Sequence, residues 1–176
     1  GIFEVHKKYG SLPMNEIVEP VIALAEKGVI ITKFQAESLN NNREFFTKIN
    51  GRNSLFSKVY KENDTIKYTA LAATLKRIAK NGRDEFYKGE TAQKLVDFLA
   101  KKGGIATMED LNSYKANWRT PITFQYKNLK ITSMSPPSSG GICLNQIMKM
   151  IEPFNLSQMG HNSLKTIQVI TEAERR

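Results

Sequence analysis

The sequence predicts a mainly α-helical fold with one small β-hairpin, an α+β arrangement. Apolar residues recur at helical spacing along most of the chain, and two short runs near residues 122–134 alternate instead. The chain has 176 residues, of which 40% are hydrophobic and 24% charged, enough for one hydrophobic core. We expect a single domain over 1–176, helical over 1–120, with a strand pair at about 122–134 and helices over about 139–176.

The first elements are two helices with clear boundary signals. Ser11-Leu12-Pro13 offers a start, and Gly28 is a typical residue for a helix C-terminus. Pro20 lies within this pattern and is expected to kink or split the helix, because it has no amide proton to donate. Thr32 is placed to cap the next helix, which the asparagines at 40–42 end or break.

The middle of the chain alternates between turns and helices. Residues 50–67 are rich in turn formers, with one short extended run at Lys58–Tyr60. Thr69 is expected to cap a helix that Asn81-Gly82 closes, and a further helix runs from about Glu90 to Lys102.

The pattern of the last third differs. Thr107–Asp110 resembles a capping box at the start of a short helix. Ile122–Tyr126 and Leu129–Met134 alternate apolar and polar residues, which predicts a β-hairpin. An apolar helix at about Ile142–Ile151 and a final helix over Ser163–Arg176 follow.

Composition argues against several classes of function. The net charge is +9, but the basic residues form scattered pairs among acids, which is typical of solvated helix faces and not of a nucleic-acid surface. No apolar run reaches 18 residues, so no membrane span is predicted. Cys143 is the sole cysteine, which excludes an internal disulfide.

Side chains that could carry chemistry are few. Common zinc, nucleotide and nucleophile motifs are absent. Cys143 lies in an apolar run, and we interpret it as a buried core residue. His6 and His161 lie far apart in sequence without a flanking carboxylate pattern, and we interpret them as a residue on the surface of the first helix and a loop residue. No metal site and no cofactor are predicted.

The composition of one turn would allow its backbone to come close to another group. Pro136-Pro137 is followed by Ser138, Ser139, Gly140 and Gly141 at a helix start. Amides at a helix N-terminus can hold a carboxylate or an oxyanion. Alternatively, one serine is simply the helix cap, and the glycines allow tight packing. Both interpretations stay open, and these four residues are the candidate binding residues.

Several phrases, in order, resemble the large subunit of gamma-glutamyltransferases (gamma-glutamyltranspeptidases). The resemblance runs nearly end to end. One departure is Tyr68-Thr69-Ala70, where the family often has Gln-Pro-Asp. The matching stretches are Val5–Pro13 (HxxYGxLP), Glu19–Gly28 (EPAIxLAExG), Leu75–Gly89 (LxxIAxxGxxAFYxG), Gly103–Pro121 (GGxxTxEDL, then Tyr and Pro), Pro136–Gly141 (PPSSGG) and Gly160–Ser163 (GHNS).

The resemblance implies an N-terminal-nucleophile hydrolase with an αββα fold, made as a precursor that cleaves itself. In this family the amino-terminal Thr of the small subunit attacks the gamma-glutamyl amide of glutathione or a related donor, and water or an amine accepts the acyl group. It also implies a periplasmic or extracellular enzyme with the small subunit of the same precursor as partner. No export signal is visible in these residues.

No catalytic residue is transferred to this chain. The family's nucleophile and its substrate-binding Ser-Ser and Gly-Gly pairs belong to the small subunit, so Ser138–Gly141 are not equated with them. The ends, Gly1 without an initiator Met and Arg176 inside a predicted helix, indicate a large-subunit fragment, expected to be inactive alone. The alternatives are a cephalosporin-acylase-like or polyglutamate-processing relative, or a free-standing helical anion-binding module.

Overall fold

The computed structural model describes all of residues 1–176. The backbone groups into two compact units, residues 1–116 and 117–176. The predicted fold class, mainly helical with a small hairpin, is confirmed. The prediction of one domain over 1–176 stays a prediction. No helix is both long enough and apolar enough to cross a bilayer.

Eight helices and one small sheet make up the first unit. The helices are α1 (Ile2–Tyr9), α2 (Met14–Lys27), α3 (Lys33–Asn41), α4 (Arg43–Asn50), α5 (Thr69–Asn81), α6 (Arg83–Tyr87), α7 (Glu90–Lys101) and α8 (Met108–Ser113); strands β1 (Val29–Ile30) and β2 (Thr65–Ile66) pair antiparallel, and a 3-10 turn covers Leu55–Ser57. Helix α2 packs on α5 through Ile22, Ala25 and Ala72. A second apolar cluster contains the buried Ile66 of β2 and the buried Ile31, which directly follows β1.

Helix boundaries in this unit follow local chemistry. Thr107 and Asp110 form the predicted capping box, and Thr32 caps α3 as predicted. Gln35 completes a second capping box with Thr32, which the sequence analysis did not predict. Gly28 ends α2 with a φ of 94°, a conformation that costs glycine little. Each of these predictions is confirmed.

The predictions for helices α2 and α5 were wrong in part. Helix α2 is not split at Pro20, and whether it is kinked there stays a prediction. The Glu16 carbonyl loses its helical partner, but Glu16 and Pro20 are both exposed, so water can hydrate that carbonyl. Thr69 is the first helical residue of α5 and not its cap. The position before it is held by tertiary contact, since the Tyr68 N–H donates to the Ala25 carbonyl oxygen at 2.9 Å.

The extended run Lys58–Tyr60 is not a strand. The backbone of Tyr60 bonds to a side chain and not to another strand. The Tyr60 N–H donates to Asn40 Oδ1 at 3.0 Å, and Asn40 Nδ2 donates to the Tyr60 carbonyl at 2.8 Å. The pairing of β1 with β2, the second small sheet, was not predicted. Helix α4 was also missed.

The second unit contains the predicted hairpin and three helices. These are β3 (Ile122–Tyr126), β4 (Leu129–Ser133), α9 (Gly140–Ile151), α10 (Leu156–Met159) and α11 (Leu164–Glu174). The antiparallel register pairs Ile122 with Ser133 and Tyr126 with Leu129, so the turn falls at 127–128 as predicted. Helix α9 packs on β3 and on α11.

The prediction of a buried Cys143 was wrong, because its side chain is exposed. Gly141 is buried on α9, and Cys143 lies two residues further on, about 200° around the helix, on the face turned away from the hairpin. Ile151 of the same helix is buried, so the apolar character of the run did not indicate which of its residues the fold covers.

Candidate functional site

The turn between β4 and α9 is closed by its own hydrogen bonds. The Ser138 N–H donates to the Ser135 carbonyl at 3.3 Å, and the Gly140 N–H donates to Ser138 Oγ at 3.2 Å. Ser139 is the residue before the helix, and its carbonyl accepts the Cys143 N–H at 2.8 Å, but its side chain makes no capping bond. Ser138 therefore supplies the only hydroxyl that binds an amide at this helix start.

The two glycines of the turn have different surroundings. Gly141 is buried, and a Cβ there would collide with the carbonyl oxygen of Met134 and lie 3.3 Å from the Ile122 Cβ. At the exposed Gly140 a Cβ would meet only the Ser138 Oγ, at 3.3 Å. Gly141 thus lets the start of α9 lie directly on the hairpin, which is the packing role that the sequence left open.

A shallow cleft of about 820 Å³ opens beside this turn. Arg119 supplies its only charge, and the Arg119 Nη1 donates to the Pro136 carbonyl oxygen at 3.2 Å. The other lining residues are Asn117, Pro121, Thr132, Ser133, Met134, Ser135, Pro137 and Ser138. One cation, several hydroxyls and no carboxylate suit a carboxylate-sized anion, and no side chain in the lining can act as a general base near neutral pH.

Of the four candidate residues, only Ser138 lines this cleft. The histidines lie elsewhere. His6 is in α1, where its Nε2 donates to the Leu12 carbonyl oxygen at 2.7 Å, and His161 lies in an exposed turn. No three His, Cys, Asp or Glu side chains are grouped as metal ligands would be.

Sequence reasoning missed a buried charged network in the first unit. Glu85 is 5% exposed and accepts hydrogen bonds from Arg77 Nε and Thr91 Oγ1, both at 2.8 Å, and from Asn81 Nδ2 at 3.2 Å. The Arg77 and Thr91 hydrogen bonds lower the pKa of Glu85 from 4.5 to about 2. Gly89 leaves room for this carboxylate, because a Cβ there would lie 2.7 Å from Glu85 Oε2. This network joins α5, α6 and α7.

The family profile described as gamma-glutamyltranspeptidase matches residues 1–176. The chain belongs to the gamma-glutamyltranspeptidase family. The glutathione hydrolase proenzyme of Escherichia coli (strain K12) is 39% identical over 172 residues, which are 96% of this chain and 30% of that protein. The Acylase ACY 1 proenzyme of Pseudomonas sp. (strain SE83) is 28% identical over 176 residues, 98% of this chain and 32% of that protein.

The crystal structure of Helicobacter pylori gamma-glutamyltranspeptidase matches this family member with a TM-score of 0.93 at 40% identity, over 98% of this chain and 50% of that one. The resemblance seen in the sequence is therefore confirmed, and the fold is that of part of a gamma-glutamyltranspeptidase, an N-terminal-nucleophile hydrolase. The family is one of enzymes, and both curated relatives are proenzymes. This chain spans about a third of their length.

Proposed function

We propose that this chain is the scaffold part of an enzyme that transfers the gamma-glutamyl group of glutathione or a related gamma-glutamyl amide to water or to an amine. The family match along the whole chain carries the proposal. In this proposal the attacking Thr hydroxyl comes from the small subunit of the same precursor, and the chain braces the reaction centre without a cofactor or a metal.

An exposed apolar stripe on α2 supports the proposal of a protein partner. Ile17, Val21 and Leu24 recur at helical spacing and are 45%, 51% and 52% exposed. The adjacent side of the same helix, about 100° around its axis, packs on α5 through Val18 and Ile22. A helix with apolar residues on two sides is typical of one that contacts two neighbours, and the small subunit is the neighbour that we propose.

For Ser138, Ser139, Gly140 and Gly141 the proposed role is structural: they join the hairpin to α9. The collision that a Cβ on Gly141 would suffer supports this role, and the bond from Gly140 to Ser138 Oγ supports it for the first serine. We assign no substrate contact to them. The periplasm or the extracellular space is the proposed location, on the family resemblance alone.

The experiment measures the release of 4-nitroaniline from gamma-glutamyl-4-nitroanilide by two proteins. The complete precursor, expressed from the whole reading frame, is expected to split into two polypeptides and turn over. The 176-residue chain alone is expected to be inactive, although its circular dichroism shows helix. Turnover by the isolated chain that disappears when one of its own side chains is replaced contradicts the proposal.

A second donor class has one observation in its favour, the similarity to the acylase proenzyme across nearly the whole chain. A cephalosporin-acylase-like or polyglutamate-processing enzyme would share this scaffold. Presenting the complete precursor with gamma-glutamyl anilide, an acylated β-lactam and poly-gamma-glutamate separates the three, because the preferred donor has the highest kcat/KM. Membership of an enzyme family favours all three over a free-standing anion-binding module.

A further inference from the structure

A second cleft, in the first unit, has a different chemical character. It lies between α4 and the 3-10 turn and has a volume of about 500 Å³. Its lining residues are Arg43, Glu44, Thr47, Lys48, Arg52 and Ser57. Three cations and one acid therefore face a space within the range of small-molecule sites.

Arg43 is held in place on one wall of this cleft. Its Nε donates to the Ser57 carbonyl oxygen at 2.9 Å, and Ser57 is buried with its own Oγ donating to the Gly51 carbonyl at 2.9 Å. The two terminal nitrogens of the guanidinium make no hydrogen bond within the chain. Because the side chain is already ordered, little further ordering is needed when these nitrogens bind a ligand.

The positive charges of this cleft are not neutralised by the protein. Arg43, Lys48 and Arg52 form no ion pair, whereas other cations of the unit do, such as Lys76 with Glu26 and Arg77 with Glu85. Lys48 lies in the last turn of α4, where the helix dipole favours a cation.

The helix dipole does not explain the other two cations. Arg43 is the first residue of α4, at the positive end of the dipole, where a cation is disfavoured, and Arg52 lies beyond the helix. Like charges around one space repel each other, and a bound anion relieves that repulsion.

We propose that this cleft binds the phosphate group of a small soluble molecule. Two arginines and a lysine supply the charge and the forked donors that phosphate oxygens accept, and the volume exceeds what a single phosphate needs. With Glu44 counted against the three cations, the lining keeps a net positive charge, which attracts an anion of two or more charges more strongly than an anion of one charge. The site is independent of the acyl-transfer chemistry proposed above.

The test is calorimetric titration of the purified chain with inorganic phosphate and pyrophosphate. Saturable binding is expected, tighter for pyrophosphate and weaker as salt rises. Lys48 and Arg52 are exposed and their side chains form no hydrogen bond or ion pair within the chain, so K48Q/R52Q is expected to fold and to bind at least about tenfold more weakly. The control K101Q/K115Q removes the same charge from exposed positions of the same unit and is expected to bind like the parent.

Two further arms decide the chemistry. Arg43→Lys keeps the charge but loses the fork and the bond to Ser57, so it is expected to weaken pyrophosphate binding while the melting curve records any loss of fold. Vesicles of phosphatidylglycerol in phosphatidylcholine present the same group on a lipid. Binding to vesicles alone, equal loss in the control variant, or no saturable binding overturns the proposal.

Discussion

Replacing Gly141 by alanine tests how α9 is seated on the hairpin. The added Cβ would collide with a backbone oxygen, that of Met134, and would lie 3.3 Å from the Ile122 Cβ. A backbone atom cannot rotate away as the end of a side chain can, so the helix or the strand has to shift. Overpacking of this kind costs about 1–3 kcal/mol. Alanine is a better helix former than glycine by about 1 kcal/mol, which offsets part of the loss.

Gly140→Ala is the matched control because it gains the same helix preference. Its Cβ would meet only the Ser138 Oγ, a side-chain atom that can turn aside. The difference between the two variants therefore isolates the collision, and about 1–3 kcal/mol corresponds to a melting temperature about 2–12 °C lower for Gly141→Ala in a chain of this size. Thermal denaturation followed by circular dichroism measures it. Equal melting temperatures for the two variants refute the packing argument.

Three further predictions concern acid stability, a helix cap and association. Hydrogen bonds led by that from Arg77 lower the pKa of Glu85 from 4.5 to about 2, so ionised Glu85 stabilises the fold above pH 4.5 and this stabilisation is lost as the pH falls towards 2. The melting temperature of the parent should therefore fall towards that of E85Q over this range. Melting temperatures of parent and E85Q that change in parallel with pH would contradict this prediction. Thr107→Ala removes the cap of α8 and should cost about 1 kcal/mol in urea denaturation, whereas Thr107→Ser should cost little. The isolated chain should self-associate in light scattering, and Val21→Glu should reduce this; a monomer at all concentrations would argue against an exposed docking stripe.

The sequence predicted those elements whose structure depends on residues close together in the chain. The cap at Thr32 and the capping box at Thr107 need only residues three positions apart, and both form. The hairpin register follows from two alternating runs and the turn between them. Strands β1 and β2 have two residues each and lie 35 positions apart, so no local period indicates them.

The candidate site was predictable only in part, for the same reason. The sequence located the Ser138–Gly141 turn. It could not distinguish Gly140 from Gly141, because only the folded structure places the Met134 carbonyl against Gly141. Arg119 donates to the carbonyl of Pro136, which is 17 residues away in sequence, and no local pattern around Arg119 predicts that hydrogen bond. Exposure of Cys143 depends on which face of α9 the fold covers, which periodicity alone does not decide.

The most direct test of a scaffold role is to identify the residue to which the gamma-glutamyl group becomes attached during turnover. The complete, processed enzyme is quenched in acid during turnover of a gamma-glutamyl anilide, digested, and analysed by mass spectrometry for the peptide that carries the gamma-glutamyl ester. We expect the modification on a peptide outside these 176 residues, at the amino-terminal Thr of the small subunit. An ester on any side chain between Gly1 and Arg176 would show that this stretch performs the chemistry itself.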